Sequence, residues 1–325
     1  MKKHIKINFV DFWETFNHQD NFILTVLRKH YEVELCDTPD YLFYSVFGYE
    51  HLNFQGVRIF YSGENLLPDF NLCDYGIGFG HLTFEDRYVR YPLYLNYTTD
   101  LTYAKMKHQL TQDDLARKRK FCNFVYSNKD AAPIRKEIKD VLNTYKTVDS
   151  GGRYDNNIGG PVLDKRAFQE DYMFSVAFEN DSTSGYTTEK LLQAFAAKTI
   201  PIYWGDPGVK DYFNEDAFIY VSSRDELMDV LETVKALEQD EKRRLQMLEA
   251  PMWTEEQAKK HEDILTELER FLLNIFDQPY EDAFRRSREF KGRQYQEERQ
   301  ELFALRSTFI FKVIRKLLRI VLRKK

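Results

Sequence analysis

The stretch GYTTEKLLQAFAAKTIPIYWG, residues 185–205, runs from a flexible loop through a helix into an apolar strand. Gly185 lets the loop approach a ligand closely, and Thr187 or Thr188 is placed to cap the helix. The helix then opens with Glu189 and Lys190 side by side. The first turn of a helix exposes unpaired N–H groups and partial positive charge, so a lysine there is locally unfavourable unless an anion is present. A diphosphate seated on this helix start would satisfy both the N–H groups and Lys190. From spacing alone, a surface helix with a solvated Glu–Lys start reads equally well. Strand, loop and helix in this order belong to an open α/β sheet, and nucleotides bind such sheets at this place.

The same grammar extends outward on both sides. Upstream, FCNFVY (121–126) reads as a strand, PIRKEIKDVLNTY (133–145) as a helix, and MFSVAFEN (173–180) as a strand. TVDSGGRYDNNIGG (147–160) is rich in glycine and asparagine and reads as loop. AFIYVS (217–222) and the helical stretch of 223–250 complete a second α/β unit. Residues 5–10, 41–48, 56–63 and 73–80 are short aromatic or β-branched runs, and NFILTVLRKHYEVEL (21–35) reads as a helix running into a second strand. They predict a first α/β unit, and no internal repeat is visible. We expect an acceptor-type domain over 1–120, a second Rossmann-like domain over 121–275, and a helical C-terminal segment over 276–325.

The chain has 325 residues, enough for two domains, and 43% hydrophobic residues, enough for two ordinary cores. Cys36, Cys73 and Cys122 are too few and too scattered for a disulfide framework or a zinc site, which suits a reducing compartment. The opening MKKHIKINFVDFW lacks a long apolar run and reads as a first strand, not a signal peptide. No stretch of about 18 uncharged apolar residues predicts a membrane span. Net charge is −5, but residues 303–325 hold eight Lys or Arg and no acid, so the rest carries −13. An acidic body argues against nucleic-acid binding. In the tail, Lys312, Arg315, Lys316, Arg319 and Arg323 line one side at spacings of three and four, with Ile310, Val313, Ile314, Leu317 and Val321 opposite. This predicts a basic amphipathic helix on an anionic membrane surface, with partner binding or packing on the acidic body as alternatives.

Taken whole, FENDSTSGYTTEKLLQAFAAKTIPIYWGDP (178–207) closely resembles the signature of the α-1,3/4-fucosyltransferases. FYSGEN (60–65), NLCDYGIGF (71–79), DRYVRYPLY (86–94) and APIRKE (132–137) resemble further segments of that family, in order. The resemblance spans about residues 58–220 and is nearest to bacterial members. It implies a GT-B architecture, two Rossmann-like domains facing across a cleft, the second holding GDP-fucose and the first the acceptor. It also implies inverting transfer of fucose to O3 of N-acetylglucosamine or glucose in N-acetyllactosamine- or lactose-type glycans, giving Lewis X-type products. GDP-fucose is then a co-substrate, with no cofactor and no essential divalent metal; no Asp-x-Asp occurs in the chain. The place of action would be cytoplasmic, on the inner face of a bacterial membrane.

The resemblance assigns Lys190 and Arg135 to the diphosphate, Glu64 to the general base and Glu189 to the donor sugar or ribose. Asn180 and Tyr186 match donor contacts, and Arg153 and Tyr154 fall in a loop near the nucleotide. Asn65, His81 and Trp13 are acceptor candidates, although core packing suits Trp13 equally well. Glu179 reads as a buried helper that holds the loop. Bacterial relatives often carry heptad repeats before the basic end, and no heptad array is present here. A transferase using another nucleotide sugar and a non-catalytic, membrane-associated glycan-binding scaffold are the competing functions.

Overall fold

Ile200–Trp204 is apolar at every position, and every position is buried. An unbroken apolar run of five belongs to a parallel strand covered on both faces. The computed structural model, which describes residues 2–308 and 311, places it in the middle of such a sheet.

The first unit comprises residues up to Gly78, Leu82–Val89 and the chain from Glu267. Its strands are β1 (Lys3–Val10), β2 (Tyr31–Leu35), β3 (Tyr41–Tyr44), β4 (Val57–Tyr61), β5 (Tyr75–Gly78) and β6 (Tyr88–Arg90), with α1 (Phe22–His30) between β1 and β2. The sheet order is β2-β1-β3-β4-β5-β6, and β1 to β5 pair in parallel. Edge strand β2 alternates between covered and exposed positions, whereas β3 and β4 are buried throughout. Arg58 in β4 is nonetheless charged, and its guanidinium donates to the carbonyls of Leu52, Phe54 and Leu72. Asp74, also buried, accepts from the backbone N–H groups of Arg58, Arg285 and Arg286 and pairs with the Arg286 guanidinium. This network ties the C-terminal segment to the first sheet.

The second unit comprises Phe79–His81 and Arg90–Thr266. Two short helices, α2 (Thr98–Lys105) and α3 (Gln112–Arg117), come first. Then follow β7 (Lys120–Phe124), α4 (Ile134–Asn143), β8 (Val148–Ser150), α5 (Lys165–Gln169), β9 (Tyr172–Phe178), α6 (Glu189–Ala196), β10 (Ile200–Trp204) and β11 (Ile219–Tyr220). The sheet order is β11-β10-β9-β7-β8, all parallel. The stretch 147–160, expected as loop throughout, thus begins with a three-residue strand. Val148 pairs with Cys122 and is buried, and the glycine run starts only at Gly151. Helices α7 (Leu227–Gln239) and α8 (Glu241–Glu249) follow; α7 buries Leu227, Val230, Leu231, Val234 and Leu237 on one face. The 23-residue α9 (Glu255–Asp277) carries the chain back to the first unit, where α10 (Phe290–Ser307) lies.

Renumbered from its own first strand, the second sheet has the order 2-1-3-4-5 and the first 2-1-3-4-5-6, the doubly wound arrangement whose switch point lies between strands one and three. In the second unit that point lies between β7 and β9. The fold is therefore two Rossmann-like units. The expected basic helix of 303–325 falls mostly outside the described residues; within them, Phe303 stacks on Tyr49 with ring centroids 3.9 Å apart.

Candidate functional site

Both cations predicted for the diphosphate occupy the second helical position after a strand that flanks the switch point. Arg135 is the second residue of α4, which follows β7, and Lys190 the second residue of α6, which follows β9. The helix dipole disfavours a cation at each place. The compensation comes from two adjacent residues at the end of β9. Glu179 accepts from Lys190 Nζ at 3.0 Å, and Asn180 Oδ1 accepts from Arg135 Nη1 at 2.8 Å. One dipeptide thus holds both positive side chains.

Glu179 is fully buried. Its carboxylate also receives the Thr188 N–H at 2.8 Å and the Thr188 hydroxyl at 2.7 Å. Burial pushes its pKa up, against the pull of Lys190. Burial works equally against the Lys190 ammonium, but Glu179 and Glu189 outweigh it and hold the pKa above the ordinary lysine value. Lys190, with a side chain only 12% exposed, is no solvated surface lysine. The Glu189 carboxylate lies 3.6 Å from Lys190 Nζ. Burial would raise the Glu189 pKa, but Lys190 and Lys165 draw it below the usual range, so this carboxylate is ionised.

Arg135 is buried against the Tyr126 ring, with its guanidinium carbon 4.4 Å from the centroid, and also donates to the Asn128 carbonyl. Two of its five N–H groups are committed in this way. Tyr154 donates its backbone N–H to the Tyr126 carbonyl at 2.9 Å, which brings the loop after β8 to the same place. Gly152 makes that approach possible, since a Cβ there would lie 1.8 Å from the Tyr126 oxygen. Arg153 beside it is exposed and has no hydrogen bond among the described residues.

The expected Thr187 or Thr188 cap is absent. Thr188 is the N-cap residue but makes no capping bond, because its hydroxyl is turned to Glu179. The Thr187 hydroxyl donates instead to Asp206 at 3.0 Å. Asp206 is fully buried and also accepts the N–H groups of Gly185 and Gly208, each at 2.8 Å. Sequence reasoning gave Asp206 no role; its signal was a Gly-Asp-Pro turn directly after a strand. Gly185 has φ +82°, and a Cβ on it would sit 2.6 Å from the Phe79 carbonyl. Tyr186 is buried edge-on to Phe79, with centroids 5.1 Å apart.

His81 belongs to this unit. A Cβ on Gly185 would lie 3.2 Å from its ring, and Tyr212 is its aromatic neighbour at 5.8 Å. Burial, then nearby Arg90, lowers its pKa. Arg90, also missed from the sequence, lies over the Tyr212 ring at 4.1 Å and donates to the Phe79 carbonyl; its buried Nη1 has no partner.

Glu64, Asn65 and Trp13 lie in the first unit, on the loops after β4 and β1. Glu64 is exposed, its N–H held by Ser62 Oγ at 3.0 Å and its carboxylate in no ion pair among the described residues. Asn65 is half-buried beside it. Trp13 is half-buried among Phe12, Phe16, Phe47 and Tyr61, with ring centroids 5.1–6.5 Å away. A pair that the sequence did not reveal, Asp11 and His51, joins the loops after β1 and β3 through a 2.6 Å contact. Among the described residues no group of three or more His, Cys, Asp or Glu is arranged to hold a metal ion.

This geometry has close relatives. The model of the alpha-(1,3)-fucosyltransferase FucT N-terminal domain matches residues 7–97, and that of the glycosyltransferase family 10 (fucosyltransferase) C-terminal part matches residues 115–271. The chain is 34% identical over 284 residues to alpha-(1,3)-fucosyltransferase FucT of Helicobacter pylori, covering 75% of this chain and 59% of that protein. It therefore spans about three-fifths of the length of that curated relative. A crystal structure of an alpha1,3-fucosyltransferase superposes with a TM-score of 0.72 at 28% identity, over 89% of this chain and 93% of that one. A second, an alpha1,3-fucosyltransferase with GDP-fucose, gives 0.69 at 28% identity, over 86% and 93%. With both units matched in order by the two parts of the family's model, this chain belongs to glycosyltransferase family 10, the fucosyltransferases.

Proposed function

We infer that this chain transfers L-fucose from GDP-fucose, with inversion, to O3 of N-acetylglucosamine or glucose in N-acetyllactosamine- or lactose-type glycans, giving Lewis X-type products. The observation that carries this reading is the pair Arg135 and Lys190, held by adjacent residues at two helix starts that flank the switch point. The similar alpha1,3-fucosyltransferase solved with GDP-fucose supports the donor.

In this reading the diphosphate meets the uncommitted N–H groups of Arg135, the Lys190 ammonium and the first N–H groups of α6. As the bond from the fucose anomeric carbon to the phosphate oxygen breaks, charge accumulates on GDP. Donors fixed in advance stabilise that charge without reorganisation. Glu189, ionised beside Lys190, faces the positive charge that develops on the sugar ring. Glu64 takes the proton from the attacking acceptor hydroxyl as the new glycosidic bond forms. Asn180 and Glu179 position the cations, and Tyr186, Arg153 and Tyr154 line the donor. Asn65, Trp13 and His81 remain the acceptor candidates. No cofactor or divalent metal is required. The basic tail of 303–325 attaches the protein to an anionic membrane from the cytoplasmic side.

The test is transfer itself. Purified protein is incubated with GDP-fucose, an acceptor panel and EDTA, and the linkage is assigned by NMR. An α-1,3-linked fucose formed by the wild type and lost in Glu64→Ala is the expected result. Transfer only from UDP- or CMP-sugars, or no transfer at all, would remove this reading.

A further inference from the structure

The first unit contains a cavity of about 300 Å³ beyond the carboxyl ends of β3 and β4. That volume lies at the small end of the range for ligand sites. Its walls are apolar, among them Tyr49, Leu52, Phe60, Leu66, Leu67 and Phe303. Leu66 and Leu67 are 54% and 53% exposed, an apolar pair left facing water within three residues of Glu64. The Leu66 N–H donates to the Glu64 carbonyl at 2.7 Å, so the cavity wall and the Glu64 loop are one structure.

Three further observations point to a ligand. Ser45 lines the cavity, is 1% exposed, and its hydroxyl has no partner. A buried hydroxyl without a partner is costly unless something polar reaches it. The polar wall on α10 is basic: Arg299 and Arg306 both line it. Asp69, the acid in the lining, already accepts from Tyr295 and Asn71, and Arg306 makes no ion pair among the described residues. The frame is also rigid, because His51 stacks on Tyr44 at 4.0 Å and is pinned by Asp11. An apolar cleft with a basic wall suits an alkyl chain that carries an anionic head.

We propose that this cavity binds the apolar aglycone of the acceptor, so that the preferred acceptor is a glycan joined to a lipid chain through a phosphate-type link. The inference rests on the reading of Glu64 as the base that meets the acceptor. The chain enters between Leu66, Leu67 and Phe303, and the anionic link meets Arg299 and Arg306.

Two measurements on the full chain test this. The first needs no donor: displacement of a fluorescent naphthylamine probe by dodecyl phosphate below its micelle concentration. The second compares KM for a lactosamine acceptor, free and as its octyl glycoside. Displacement in the micromolar range, and a KM at least about tenfold lower for the octyl glycoside, are expected from burial of several methylenes. Leu302→Asp and Arg306→Glu, both on α10, should bring the KM ratio close to one. Equal KM values with no displacement would overturn the proposal while leaving fucosyl transfer standing. Transfer to no acceptor would fail the functional reading and this one together. Displacement seen only after removal of 309–325 would mean that the chain's own tail fills the cavity, and would also overturn it.

Discussion

Lys190 tolerates the positive end of α6 because Glu179 lies beside it, buried and with no other ion pair among the described residues. This makes the pair both a structural and a chemical unit. Lys190→Ala should lower kcat/KM by roughly 10²–10³, the scale for losing one preorganised donor to a developing charge. It should also destabilise the fold by about 3 kcal/mol, because Glu179 is left buried and unpaired. Lys190→Met combined with Glu179→Gln should restore the melting temperature but not turnover. Recovery of both would show that the lysine serves only the fold. Gly185 makes a second claim at this scale. Gly185→Ala meets both a positive φ and the Phe79 carbonyl, so a loss of about 1–3 kcal/mol in urea denaturation is expected, with weaker GDP binding. An unchanged midpoint would mean that the loop does not take this path.

At the scale of elements, the two helices after β7 and β9 matter through the residues that join them. Asn180 accepts from the Arg135 guanidinium, and its carbonyl accepts the Ala132 N–H at 2.9 Å just before α4. Asn180→Ala should therefore raise KM for GDP-fucose about tenfold by loosening Arg135, with acceptor KM unchanged. Steady-state kinetics with each substrate varied in turn would show it, and a rise in acceptor KM alone would contradict it. Much of this arrangement is legible in the sequence. Ile200–Trp204 reads as a covered parallel strand, and Pro133 and Gly185 announce the two helix starts. β8 escapes because it is a three-residue edge strand running straight into glycines. The Glu179–Lys190 bond escapes because a contact across eleven residues depends on where β9 ends. Asp206 escapes for the same reason, since its bonds to Gly185 and Thr187 reach back to the loop that follows another strand. The expected threonine cap does not form because the Thr188 hydroxyl bonds the buried Glu179 carboxylate instead of the helix N–H groups.

At the scale of the molecule, the sequence foretold two α/β units, but not that Arg58, Asp74 and Arg286 would lock the C-terminal segment onto the first sheet. Nor does it show the acid sensitivity carried by His261. This ring is buried in the second unit, bonded to Tyr94 and Gln257 and stacked on Trp253 at 3.9 Å. Burial lowers its pKa to about 4. The unfolded chain then binds the proton first, so stability is complete above the unfolded value of 6.5 and falls as pH drops toward 4. The loss should reach roughly 3 kcal/mol between those limits and be smaller in His261→Gln, as read by urea denaturation across the range. Parallel curves would remove the assignment. In the proposed mechanism, two cations and a helix start hold a nucleoside diphosphate without a metal ion. Calorimetric titration of GDP and guanosine in EDTA tests it most directly. GDP should bind at least about 100-fold tighter than guanosine, as two charge-assisted contacts provide, and the stable Lys190→Met, Glu179→Gln protein should lose most of that gap. An undiminished gap in that variant, or GDP binding that appears only when magnesium is added, would rule out metal-free binding by these groups.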